Sequence, residues 1–300
     1  MIVPVRDELR SALARPDLPV ETRTKIQHVQ SVLDADSQAR LESFTILDGR
    51  PYAVVSFGDP STADLVVYLL HGIDTDLASF PEWADAAQRL CIDIIRTCVA
   101  RGEPRKVATV AWFAWDSGTH VTALATKHAT IGAARLSVDI DRLIVRNPGA
   151  HIAAVAYSYS TTLLGEMFAL NIADEVRTAF CIASAGVTHA ASTAIEDAIE
   201  REEAVVYATE GAGDGVAPMG RLGNHPIDPR DIRGVIVYDS DGGEAPGIDG
   251  GVVAGVPVEG HASQTAVDER GIRHPGYFDE RAQSYLTLVA RLADAVTTAL

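Results

Sequence analysis

The chain has 300 residues, 47% of them hydrophobic and 22% charged, and 41 Asp+Glu against 25 Lys+Arg leave a formal charge of −16. Length and composition fit one large globular domain with a sizeable core. A balance this acidic repels nucleic-acid phosphates and anionic membrane surfaces at long range, which argues against polyanion-binding functions.

The opening M-I-V-P-V-R-D-E-L-R carries Pro4 and is charged from Arg6 onward, so no apolar core of a secretory signal is expected. No later window approaches the roughly 18 uncharged residues of a membrane span. The expected location is cytoplasmic. Cys91 and Cys98 fall on one predicted helix, roughly 10 Å apart along its axis and too far for a disulfide, so these and Cys181 are expected as buried thiols in a reducing compartment. Residues 5 to 43, rich in Arg, Asp, Glu, Gln, Ala and Leu, predict two short amphipathic helices. They would form an arm over residues 1–44, followed by one domain over 45–300.

F-T-I-L-D-G-R-P-Y-A-V-V-S-F then sets two apolar runs around Asp48-Gly49, a hairpin signal. Further apolar runs follow at Leu65 to Leu70, Val107 to Trp115, Ile152 to Tyr157, Thr178 to Ala183, Ala204 to Thr209 and Gly234 to Asp239. Several are followed by helical periodicity, as from Phe80 and from Ala134. Continuous apolar strands alternating with helices predict an α/β fold: a mostly parallel central sheet covered on both faces, with an antiparallel hairpin first. Residues 116–133 are longer than a minimal connection and are expected beside the carboxyl edge of the sheet, where they could form a small cap over a cleft.

In H-I-A-A-V-A-Y-S-Y-S-T-T-L-L-G-E, Ser158 stands between a buried strand and a helix, the setting of a nucleophile elbow. That turn demands small residues two positions before and after the serine, here Ala156 and Ser160. An elbow centred on Ser160 would put β-branched Thr162 at a flank and fits less well. The plainer reading makes Ser158 or Ser160 a helix cap. Chain order favours the elbow: Asp214 follows a later strand in the loop E-G-A-G-D-G-V, and two histidines, His261 in V-E-G-H-A-S and His274 in R-H-P-G-Y-F-D, follow the last strand. L-L-H-G-I-D-T ends the first long parallel strand. Its glycine lets an amide, that of Ile73, turn into the cleft and form an oxyanion hole with the amide of Tyr159. His71 would support this loop.

These features resemble the actinobacterial α/β-hydrolases long labelled a domain of unknown function, whose elbow typically reads G-H-S-Y-G-S. The resemblance covers roughly residues 45 to 298 and rests on V-A-W-F-A-W-D, A-Y-S-Y-S-T, A-S-A-G-V-T-H-A, Y-A-T-E-G-A-G-D-G-V and H-P-G-Y-F-D. It implies an α/β-hydrolase fold and a serine hydrolase cleaving a carboxylic ester, with Ser158 as nucleophile, Asp214 as acid and a C-terminal histidine as base. His274 precedes Y-F-D and the final helix at the family's spacing and is the expected base; His261, which keeps the family's preceding glycine, is the alternative. The chain departs from the family at the elbow, where Gly, His and Gly become Ala156, Tyr157 and Ser160.

Other patterns carry less. In G-A-G-D-G-V the third glycine of a dinucleotide fingerprint is replaced by Val216, and Pro218 interrupts the following helix. D-S-D-G-G-E, Asp239 to Glu244, lacks the remaining ligands of a calcium loop and reads as an acidic turn. Trp83, Trp112 and Trp115 read as packing residues, with Trp115 as a possible cleft wall. No cofactor and no metal are expected. The substrate would be a small-molecule or lipid-like ester, with no nucleic-acid partner; the oligomeric state stays open. A hydrolase-like scaffold with weakened or lost chemistry, serving as a binding or structural module, is the alternative function.

Overall fold

The apolar runs assemble into one eight-stranded sheet in a computed structural model that describes residues 5–297. Residues 1–4 of the expected arm and 298–300 lie outside the described residues. The strands are β1 (Ala39–Leu47), β2 (Arg50–Phe57), β3 (Leu65–Leu70), β4 (Val107–Phe113), β5 (His151–Tyr157), β6 (Val176–Ile182), β7 (Val205–Thr209) and β8 (Ile236–Val237), in the order β1-β2-β4-β3-β5-β6-β7-β8. β1 pairs antiparallel with β2 and β2 with β4; every pairing from β4 through β3 to β8 is parallel. The hairpin turns at Asp48 and Gly49, both at positive φ, 51° and 77°, as the sequence signal requires. Parallel strands carry their carboxyl ends to one edge, so the loops after β3, β5 and β7 meet there.

β3 and β4 are buried along their whole length, which is why their sequences read as unbroken apolar runs rather than alternating ones. Against one face lie α1 (Val5–Leu13), α2 (Val20–Ala35), α3 (Phe80–Ala100) and the C-terminal helix. Against the other lie α4 (Lys127–Arg146), α5 (Ser160–Ala169) and α6 (His189–Glu200). The N-terminal helices belong to the core: Leu9, Ile26, Val29 and Leu33 are buried in the same cluster as α3 and the hairpin. β1 begins at Ala39, inside the stretch that reads as helical.

Residues 116–133 form a loop, a single 3₁₀ turn at Thr122–Leu124 and the first turns of α4. Val121, Leu124 and Ile131 are exposed there, at 80%, 49% and 47%. After β7 comes the short α7 (Ala217–Gly220). The hairpin β9 (Asp241–Pro246) and β10 (Val252–Pro257), the small pair β11 (Ala266–Val267) and β12 (Arg273–His274), and α8 (Gln283–Thr297) complete the chain. The acidic stretch Asp239 to Glu244 therefore runs into a strand.

Candidate active site

β5 drives straight into α5 through a turn of two residues, and Ser158 takes the strain of it with φ at 58°. A non-glycine residue in this left-handed region costs free energy and persists only where its surroundings impose it. Several contacts do so. The Ser158 amide donates to the Ile182 carbonyl at the end of β6, 2.9 Å away, and its carbonyl accepts from Thr161 Oγ1 at 2.7 Å. Ser160 is fully buried, and its Oγ accepts from the Tyr157 amide at 2.8 Å and faces the Leu70 carbonyl at 3.0 Å. The hydroxyl left free of the backbone is that of Ser158, at the positive end of α5, where partial negative charge is favoured.

Ser158 Oγ lies 2.8 Å from His261 Nε2, and His261 Nδ1 lies 2.7 Å from Asp214 Oδ2. Because an ionised carboxylate only accepts, the proton on this side of the ring sits on Nδ1, leaving Nε2 to accept from the serine. Asp214 is buried and fully partnered: Oδ1 accepts from the amides of Val216 and Ala217, each at 3.0 Å, and Oδ2 from the Tyr277 hydroxyl at 2.9 Å. Burial alone would raise the carboxyl; the His261 hydrogen bond, the Ala217 amide and Tyr277 outweigh it and hold it below its ordinary value. Asp116 pairs with Arg50 at 2.5 Å, and Asp239 is exposed. A serine hydroxyl, imidazole and buried carboxylate in this line are equipped for proton transfer during nucleophilic attack.

The histidine differs from the sequence expectation. His274 makes no hydrogen bond to Ser158 or Asp214; its Nδ1 lies 2.6 Å from Glu259 and its Nε2 3.6 Å from Asp268. It sits on β12, and the extra residues between the two histidines fold into the β11–β12 pair, so the chain turns away from the serine after His261. The Y-F-D that pointed to His274 supplies Tyr277. Hydrogen bonds from the Tyr277 amide to the Ala262 carbonyl, 3.0 Å, and from the Phe278 amide to the Ser263 carbonyl, 2.9 Å, strap this segment to the loop of His261.

The loop after β3 meets the elbow. A Cβ on Gly72 would come within 3.1 Å of Ser158 Cβ and 3.2 Å of the Tyr157 ring, a tight fit that glycine relieves. Among the described residues, the amides of Ile73 and Tyr159 donate no hydrogen bond within the protein. His71 is fully buried with Nδ1 on the Gly72 carbonyl at 2.9 Å and its ring 4.4 Å from Phe113 and 5.4 Å from Trp115. Burial pushes it down to about 4, so it is neutral at pH 7. Trp115, only 3% exposed, stacks on Tyr159 at 5.9 Å. It borders a cavity of about 610 Å³ that reaches α2 at Lys25 and the hairpin at Arg50. A second cavity, about 750 Å³, opens against Tyr157 and His261, and Arg89, Gln264 and Asp279 also line it.

Sequence reasoning passed over three contributors. Tyr277 was visible within H-P-G-Y-F-D, yet nothing local says that its hydroxyl reaches Asp214. Tyr157, whose hydroxyl donates to the His261 carbonyl, carries no sequence signal for that contact. The ion-paired group Glu210, Arg221, Asp228 and Arg230, which braces the loop of Asp214, joins residues from separate turns.

Residues 48–224 match the family model described as alpha/beta hydrolase. The chain belongs to that family. The matched stretch holds Ser158 and Asp214 and ends before either histidine. A comparison with curated proteins finds no significant match. Among solved structures, this alpha/beta hydrolase is similar to 2,6-dihydroxy-pseudo-oxynicotine hydrolase, at 11% identity over 98% of this chain and 80% of that one, with a TM-score of 0.45. It is also similar to a cold-adapted esterase from an Arctic intertidal metagenomic library, at 11% identity over 68% and 84% of the two chains with a TM-score of 0.40. A third likeness is to a thioesterase, described as putative, from a Silicibacter species, at 12% identity over 79% and 90% with a TM-score of 0.41.

Proposed function

We propose that this protein is a serine hydrolase acting on the carboxylic ester of a small or lipid-like molecule. The observation that carries the reading is the unbroken line of two hydrogen bonds from buried Asp214 through His261 to Ser158, with the serine held at positive φ at the head of a helix. In this reading Ser158 Oγ attacks the carbonyl carbon while His261 Nε2 takes its proton, and the carbonyl π electrons move onto oxygen. The amides of Ile73 and Tyr159 stabilise that oxyanion. Collapse breaks the bond to the leaving alkoxide, which receives the proton from His261, and water repeats the sequence on the acyl-enzyme. Asp214 keeps the imidazole in the tautomer that accepts from serine.

A fluorophosphonate probe and hydrolysis of a p-nitrophenyl ester test the reading together. Ser158→Ala and His261→Ala should each lower kcat by several orders of magnitude, as loss of a member of such a triad does, with thermal stability nearly unchanged. His274→Ala should stay within a few-fold of the parent. A folded protein that neither labels at Ser158 nor turns over any ester would instead be a binding or structural scaffold.

A further inference from the structure

The hydroxyl of Tyr277 is buried, and it stands between two groups of the candidate site. It accepts from the Gly211 amide and donates to Asp214 Oδ2, both at 2.9 Å. Oδ2 is the oxygen that also receives His261 Nδ1. One carboxylate oxygen thus has two competing donors, and the position of one is fixed by the backbone of the loop on which Asp214 sits. We propose that Tyr277 is a positioning residue that sets both the direction and the strength of the Asp214–His261 hydrogen bond. The proposal rests on the ester-hydrolase reading above and goes beyond it.

Three observations support this beyond proximity. First, a phenol so deeply buried is held neutral, its titration pushed far up by burial and then by the nearby Asp214 charge, so it is a donor at neutral pH. Second, the segment that carries it is wedged: an added Cβ on Gly276 would meet the Gln264 carbonyl at 2.5 Å and the Ala262 carbonyl at 2.7 Å. Backbone hydrogen bonds tie Tyr277 and Phe278 to Ala262 and Ser263. Tyr277 is therefore coupled to the His261 loop through the backbone and to Asp214 through its hydroxyl. Third, Tyr157 stands 6.0 Å from Tyr277, ring to ring, and holds the carbonyl of His261 through its own hydroxyl. The histidine is held at its backbone by one tyrosine while its carboxylate partner is held by the other.

The electrostatic consequence has a definite sign. The polar groups facing Asp214 are His261, Tyr277 and the amides of Val216 and Ala217. Those facing His261 are Asp214, Ser158 and Tyr157. Asp241 stands beyond Gly211, where it accepts from the Ala212 amide. A donor on Oδ2 withdraws electron density from the oxygen that accepts from imidazole. Without the hydroxyl, the full negative charge bears on His261 and favours its protonated form.

Tyr277→Phe removes the hydroxyl and keeps the ring. The expected result is a kcat about tenfold lower with KM within twofold, and an acid limb of the kcat/KM profile that moves to higher pH. 3-Fluorotyrosine at the same position, a stronger donor of nearly the same shape, should move that limb to lower pH, a reversal that structural damage does not produce. The low-field Nδ1 proton of His261, read by NMR without substrate, should move further downfield in Tyr277→Phe, and this readout does not depend on turnover. Parent protein that hydrolyses no ester would overturn the hydrolase reading alone. An unmoved pH limb and an unmoved proton signal in folded Tyr277→Phe would overturn the positioning role alone.

Discussion

Ser160 stands two residues after Ser158, and its side chain has a use there. With Oγ turned inward, it accepts from the Tyr157 amide at 2.8 Å and faces the Leu70 carbonyl at 3.0 Å, where the ends of β5 and β3 meet. Ser160→Ala would remove these buried hydrogen bonds, at a cost of about 0.5–1.5 kcal/mol. Thermal or urea unfolding of the variant checks this, and stability equal to the parent would remove Ser160 from the account of the turn. Small residues flanking a serine at a strand–helix junction were readable from sequence because the steric demand of the turn is local. The choice between His261 and His274 was not. It depended on how the residues between them fold, and only the β11–β12 pairing and the hydrogen bonds of Tyr277 decide that.

At the scale of elements, the N-terminal helices change character between sequence and structure. Amphipathic spacing identifies α1 and α2, yet it cannot say what their apolar faces meet, so a detachable arm and an integral layer look alike. Ile26, Val29 and Leu33 are at 0%, 0% and 5% exposure. Burying each is worth about 1.5–3 kcal/mol, and together they rival the roughly 5–15 kcal/mol by which a domain is stable. Removing residues 1–38 should therefore give a chain without a cooperative melting transition by circular dichroism; a truncated protein melting near the parent temperature would return α1 and α2 to the status of an arm. The β11–β12 excursion is held differently. His274 is raised above its ordinary value by Glu259 and, against an opposing desolvation, by Asp268. A histidine with a raised folded value contributes stability below its unfolded value and loses it as pH climbs through the raised one. Amide exchange in residues 262–274 should accelerate, relative to the rest of the chain, as pH passes upward through that range.

For the whole molecule, the buried histidine that follows β3 sets a sensitivity of opposite sign. Parallel strands were legible from unbroken apolar runs, and His71 at the end of one of them is enclosed by Trp83, Phe113 and Trp115. Burial lowers it to about 4 from an ordinary 6.5, against the smaller opposing effects of the Gly72 carbonyl and the Asp76 and Asp116 charges. A depressed folded value means that the unfolded chain takes up the proton first. The stability tied to His71 is thus fully present above pH 6.5 and is lost progressively as pH falls toward 4, amounting to about 3 kcal/mol across the window. Asp214 and Asp279, both held below the ordinary carboxylate range, add losses of the same sign at the lower end, so the parent curve alone does not isolate the histidine. His71→Phe does, since phenylalanine fills an aromatic site and cannot titrate. The variant should be less stable than the parent at pH 7.5, where it lacks the bond to the Gly72 carbonyl. The gap should narrow or reverse by pH 4.5. Parallel stability curves for parent and His71→Phe from pH 7.5 to 4.5 would show that burial of this imidazole does not govern the acid response.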